Sequence, residues 1–175
     1  MNILITGAGK RIGKEIAINF AKLGANIILH YNNSKTEANS TKKDIDKYGK
    51  AILIKANLEN SKSVKKLFSD AKKKLGKIHH LINCASLFEN DDLLKFNEKS
   101  WDKHININAK APAILISIWS SVSAVKLVSP SASSTNSAPL ASAVVILEAL
   151  VANILIMSFA LAAADNTTEV PLVAV

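Results

Sequence analysis

One segment constrains the fold of this chain more than any other: Thr6-Gly7-Ala8-Gly9-Lys10-Arg11-Ile12-Gly13. It follows the apolar run Ile3-Leu4-Ile5 and leads into a stretch where Ile12, Ile16, Phe20 and Leu23 recur at helical spacing before Gly24. A short apolar run halted by Thr-Gly reads as a buried strand, and the recurrence every three or four residues reads as an amphipathic helix. Glycines placed between them let the backbone turn tightly and let a pyrophosphate approach the N–H groups and positive dipole end of the helix. A side chain at Gly13 is therefore expected to block such a ligand. A glycine pattern alone is weak evidence, but one that opens the first crossover of a sheet is strong.

The same alternation repeats. Ile27-Ile28-Leu29 marks a second strand within residues 25–31, Ser34 is placed to cap a polar helix running to Tyr48, and Gly49 is placed to end it. Residues 51–56 repeat the strand signal. Ser61 is then placed to cap a helix with Val64, Leu67, Phe68, Ala71 and Leu75 on one side, closed by Gly76, and residues 78–82 form a fourth strand. Strands alternating with helices imply right-handed crossovers, hence the α/β class: a Rossmann-like, doubly wound parallel sheet, incomplete on its C-terminal side. After a loop over residues 83–96, Asn97 and Glu98 open another helix that continues past Asn108, with Pro112 placed to kink it.

Composition narrows the function classes. With 175 residues, 49% of them apolar, the chain has material for one ordinary domain and is not globally disordered. Cys84 is the sole cysteine, which excludes an intramolecular disulfide and a cysteine zinc cage and fits a reducing, cytoplasmic setting, as does the lack of a basic-led signal segment. His79, His80 and His104 lack a third ligand at useful spacing, so no metal is expected. The net charge is +8, and 21 of the 22 basic residues lie in residues 1–112, spread without interleaved aromatics. That pattern argues for a solvated basic surface and against nucleic acid as a partner.

Beyond Pro112 the chain changes character: all six glycines lie at or before Gly76, while residues 113–175 carry 13 Ala and 11 Ser. The division expected is a nucleotide-binding domain over 1–115 and an atypical tail over 116–175, with a Ser/Pro-rich linker at 128–139 and an apolar helix at about 141–164. Within 143–164 the only ionisable residue is Glu148. A buried core helix, a frame-shifted tail and a membrane span compete there. The span is least favoured, because Glu148 and Asn153 are costly in lipid and no basic cluster flanks them.

The Thr-Gly-x-x-x-Gly-x-Gly-like turn resembles that of the short-chain dehydrogenase/reductase family, with Arg11 in the place of the middle glycine. His30-Tyr31-Asn32-Asn33-Ser34 and Asn83-Cys84-Ala85-Ser86-Leu87-Phe88 look most like its pteridine reductase branch, and the resemblance covers about residues 1–115. It implies an NADP(H) cofactor held by Gly7, Gly9, Lys10, Arg11, Ile12 and Gly13, by His30, Tyr31, Asn33 and Ser34, by Asn57 and Leu58, and by Asn83, Ala85 and Ser86. The physical argument agrees: no acid stands at residues 30–35 to bind the ribose 2′-hydroxyl of NAD, whereas Arg11, Lys35 and Lys10 can meet a 2′-phosphate. The branch has a base where this chain has Asn33.

By the same resemblance Phe88 stacks on a pterin substrate, and Trp101 and Asn108 match the family's tryptophan and active-site asparagine, which gives Asn108 the one catalytic role. An asparagine in an apolar helix also reads as an interhelical hydrogen bond. The long helix suggests a homo-oligomer. The family's Tyr-x-x-x-Lys pair has no counterpart: the only tyrosines are Tyr31 and Tyr48, and a serine among Ser129, Ser131 and Ser133 would not replace them. The expectation is a truncated NADP(H)-dependent oxidoreductase acting on a pterin or small carbonyl compound. The alternative is a catalytically silent NADP-binding or interaction module.

Overall fold

Residue alternation in the strands decides how this sheet is covered. In the computed structural model, residues 1–89 and 97–123 are described. They begin with β1 (Asn2–Thr6), α1 (Arg11–Lys22), β2 (Asn26–Tyr31), α2 (Lys35–Ile45) and β3 (Ala51–Lys55). There follow α3 (Ser61–Leu75), β4 (His80–Asn83), α4 (Glu98–Ile105), a π-helical turn (Asn106–Lys110) and α5 (Ala111–Ser123). The strands pair in parallel in the order β3-β2-β1-β4. Ile3, Ile5, Ile27 and Leu29 point to one face, where Ala17 and Ala21 of α1 and Ala38 and Ile45 of α2 meet them. Leu4, Ile28 and Ile54 point to the other, against Val64, Leu67, Phe68 and Ala71 of α3 and Ala111 and Leu115 of α5. This is the expected doubly wound α/β arrangement, with fully buried Ile and Leu each contributing on the order of 1.5–3 kcal/mol. Small alanines on α1 let its backbone lie close to the sheet.

Helix ends differ from the sequence reading in instructive ways. Asn60, not Ser61, caps α3: its side chain accepts from the Lys62 and Ser63 amides. Ser34 occupies the cap position of α2 but makes no side-chain cap bond, and that helix ends at Ile45 and not at Tyr48. Asn97 caps α4 as expected, accepting from Lys99 and Ser100. Where Pro112 was expected to kink the long helix, the chain instead widens into the π-helical turn directly before it. Proline has no N–H to give and its ring crowds the preceding turn, so an inserted π-turn accommodates both. The helix then runs on to Ser123, past residue 115.

No helix among the described residues is long and apolar enough to cross a membrane. The linker at 128–139, the apolar stretch at 141–164, the serines 129, 131 and 133, and loop residues 90–96 lie outside the described residues.

Candidate functional site

The turn between β1 and α1 is held by close backbone approach. Gly7 has φ +67°, and a Cβ on it would lie 2.7 Å from Ala85 Cα; on Gly13 a Cβ would lie 2.4 Å from the Gly7 carbonyl oxygen. The first glycine lets the turn press against the segment after β4, and the last lets α1 press against the turn. The expectation for Gly13 is thereby corrected: a side chain there collides first with the turn's own backbone, before any ligand. Arg11, standing where the related motif has glycine, is the only non-glycine residue of positive φ among those described, at +53°. Such a left-handed conformation costs about 1–2 kcal/mol.

Three side chains from separate elements pin this turn. Thr6 Oγ1 accepts from the Cys84 and Ala85 amides, each at 3.0 Å, joining β1 to the segment after β4. His30 Nδ1 accepts from the Gly7 amide at 3.1 Å, its Nε2 donates to the Ala56 carbonyl at 3.1 Å, and its own carbonyl accepts from the Ala8 amide. Because Gly7 N–H can only donate and Ala56 C=O can only accept, the partners assign the neutral Nε2–H tautomer. Burial pushes the pKa of this imidazole down to about 4. His30 was expected to face the cofactor. Its ring is instead spent inside the protein, beneath the turn, because both nitrogens are already bonded there.

Thr41 on α2 donates its hydroxyl to the Gly9 carbonyl at 2.9 Å and is fully buried. The sequence reading missed it, since α2 is mostly polar. The available signal was spacing: Ala38, Thr41 and Ile45 lie three and four residues apart and form the buried side of α2.

The end of β2 presents no acid. Tyr31 is half-buried, Asn33 is exposed with its carbonyl accepting from the Lys35 amide, and Ser34 Oγ lies 3.2 Å from where a Gly9 Cβ would be. Lys10, Arg11 and Ile12 are exposed at the start of α1. Lys10, Arg11 and Lys35 have no ion-pair partner among the described residues, whereas nearby Lys14 pairs with Asp44. After β3, Asn57 is exposed and its Oδ1 accepts from the Glu59 amide. Leu58 corrects its expectation: it is only 6% exposed, and its side chain enters the core against α3 rather than the site.

On the far side of the turn, Asn83 is paired in register with Thr6, and its Oδ1 is buried without a hydrogen-bond partner. Cys84 is half-buried, and burial pushes its thiol pKa up. Ser86 and Phe88 are exposed. Asn108, inside the π-helical turn, accepts from the Leu87 amide at 2.8 Å and donates to the Leu87 carbonyl at 2.9 Å. Neither an interhelical bond nor a free amide is found: the side chain fastens the loop after β4 to the helix. His104 accepts from the Glu89 amide, and the Lys103–Glu89 ion pair adds to the same fastening and lowers the Glu89 pKa. Glycine turn, β2 end and β4 segment thus meet at the C-terminal edge of the sheet, with Lys10, Arg11 and Lys35 unpaired among the described residues and no acid at residues 30–35. That donor set fits a dinucleotide carrying several phosphates.

Comparison with known proteins agrees with this geometry. A 3-oxoacyl-(acyl-carrier-protein) reductase of Staphylococcus epidermidis is 31% identical over 108 residues, covering 61% of this chain and 44% of the relative. A hydroxynaphthalene reductase-like protein of Metarhizium acridum is 35% identical over 111 residues, covering 62% and 41%. Among solved structures, alternative dihydrofolate reductase 1 of Brucella suis in complex with NADP superposes with TM-score 0.65 at 32% identity, covering 71% of this chain and 52% of that one. A Burkholderia cenocepacia dehydrogenase with bound NADP gives 0.63 at 30%, covering 67% and 46%. The chain thus spans less than half the length of these two curated relatives. The family model described as short chain dehydrogenase matches residues 1–122, from β1 through the turn, the sheet and nearly all of α5, and the chain belongs to that family.

Proposed function

We propose that the chain binds NADP(H) and that the protein it represents is an oxidoreductase transferring hydride to a pterin or small carbonyl compound. The observation carrying this reading is the acid-free β2 end, with exposed Lys10 and Arg11 in the adjoining glycine turn and exposed Lys35 at the start of α2, all without ion-pair partners among the described residues. An acid there would accept the 2′-hydroxyl of NAD; cations there meet a 2′-phosphate. Gly7, Gly9 and Gly13 shape the turn for the diphosphate, Tyr31, Asn33, Ser34 and Asn57 border the adenosine side, and Asn83, Ala85 and Ser86 close the other wall. The dinucleotide, when bound, supplies the hydride.

The pterin reading is supported by the 32% identity to a dihydrofolate reductase, since dihydrofolate is a pterin derivative, and by exposed Phe88, which offers a ring face to a flat substrate. Asn108 holds the loop that carries Phe88 and so orients it. A small carbonyl substrate fits the curated reductases equally. The alternative, a catalytically silent NADP-binding module, is favoured by one fact: the chain has no tyrosine after Tyr48 to give a proton. Loss of such general acid help lowers rates by ~10²–10⁴. A second copy is the natural cover for the exposed Ile105 and Val122 along α4 and α5, and the sole cysteine fits a cytoplasmic setting.

Fluorescence titration of the full chain with NADPH and NADH tests the binding reading. NADPH is expected to bind at least tenfold tighter, with Arg11→Glu erasing the difference. No affinity for either dinucleotide overturns it. NADPH oxidation in the presence of dihydrobiopterin separates enzyme from silent module.

A further inference from the structure

We propose that Thr41, a buried residue of α2, is a specificity-determining positioning residue for the 2′-phosphate of the dinucleotide. The inference rests on the NADP(H) reading above and goes beyond it by naming what fixes the relevant peptide group. Thr41 Oγ1 donates to the Gly9 carbonyl at 2.9 Å and is 0% exposed, so water does not compete for this bond. No peptide among the described residues is cis, and in a trans peptide the C=O and the following N–H point in opposite directions. Holding the Gly9 carbonyl toward Thr41, seven residues along from Ser34, therefore turns the Lys10 N–H away from Thr41. Glycine is the residue whose flanking peptides flip most freely, and a flip here would present a carbonyl oxygen to an anion where an N–H is wanted.

The position of this peptide ties it to the 2′-phosphate. Gly9 packs against the β2–α2 connection, where a Cβ on it would lie 3.2 Å from Ser34 Oγ and 3.5 Å from Ala38. That connection is where the absence of an acid was argued to admit a 2′-phosphate, beside Arg11 and Lys35. No bond from the Lys10 amide to another group occurs among the described residues, whereas the neighbouring Gly7 and Ala8 amides are both taken by His30. The turn thus has two inward-bonded amides, those of Gly7 and Ala8, followed by amides that carry no bond among the described residues, that of Lys10 among them.

The experiment measures NADPH and NADH dissociation constants for the full chain as wild type, Thr41→Val and Thr41→Ser. Valine keeps the volume and removes the hydroxyl; serine keeps the hydroxyl. Thr41→Val is expected to weaken NADPH about five- to tenfold and NADH less than twofold, with Thr41→Ser retaining most of the preference. Equal losses for both dinucleotides, or an unchanged ratio, overturn the inference, since a merely structural role moves both alike. Should Thr41→Val not fold, titration of ¹⁵N-labelled wild type with 2′-AMP decides: the Lys10 amide signal is expected to shift and saturate, and an unmoved Lys10 signal overturns the proposal. Wild type that binds NADPH no better than NADH counts against the underlying cofactor reading, a result distinct from either of these.

Discussion

A histidine ring with both nitrogens bonded inside the protein has no place for a second proton, and His30 makes that condition measurable. Above pH 6.5 the imidazole is neutral in folded and unfolded chains alike. Between 6.5 and about 4 the unfolded chain takes up a proton that the folded one refuses, so stability falls as pH falls through that window. The full loss is roughly 3 kcal/mol, complete below about pH 4. Urea midpoints at pH 7 and pH 4.5 are expected to differ accordingly in wild type. His30→Phe should be less stable at pH 7, with the Gly7 amide and Ala56 carbonyl left unbonded, and should lose less on acidification. Arg11 offers the opposite experiment. Its φ of +53° is strained for any residue but glycine, so Arg11→Gly is expected to raise stability by about 0.5–1 kcal/mol in the same assay while weakening NADPH. An unchanged or lowered urea midpoint would show that no strain is stored there.

At the scale of elements, the caps and the π-helical turn decide where helices start and how loops attach. Asn60 satisfies two amides at the head of α3, a helix whose last turn gathers Lys72, Lys73 and Lys74 at the favourable dipole end. Asn60→Ala is expected to cost about 1 kcal/mol, and Ser61→Ala much less; denaturant unfolding of the two variants checks which residue is the cap. The sequence pointed to Ser61 because serine is a good cap in general. What it could not show is that Asn57 and Ser63 shape the preceding turn, with the Asn57 amide donating to Ser63 Oγ, so that Asn60 is the residue left in extended conformation. The π-helical turn likewise has no signature beyond Pro112. Its consequence is that Asn108 reaches sideways to Leu87 and anchors the loop carrying Phe88.

For the whole molecule the measurable quantity is linkage between nucleotide and folding. A ligand that binds only the folded chain stabilises it by about 2.7 kcal/mol at a hundred times its dissociation constant. NADPH at that excess is expected to raise the melting temperature by several degrees, and NADH at the same concentration by clearly less. Equal shifts would remove the 2′-phosphate from the account. One apolar layer on each face of the sheet gives this coupling its physical basis, because the turn, the β2 end and the β4 segment are all fixed to the same sheet.

The order of strands and helices, the glycine turn and its place before α1, and the missing acid after β2 were all legible from the residues alone. Each depends on short-range periodicity or on the backbone freedom of particular residues, which neighbours in sequence set. Tertiary structure alone decided that His30 faces inward, that Leu58 belongs to the core, that Gly13 serves packing and that Thr41 grips the turn from another element. Those roles are set by pairs such as Thr41 with Gly9, 32 residues apart, or His30 with Gly7, 23 apart, and a hydrogen bond across such a distance exists only once the sheet has brought its ends together.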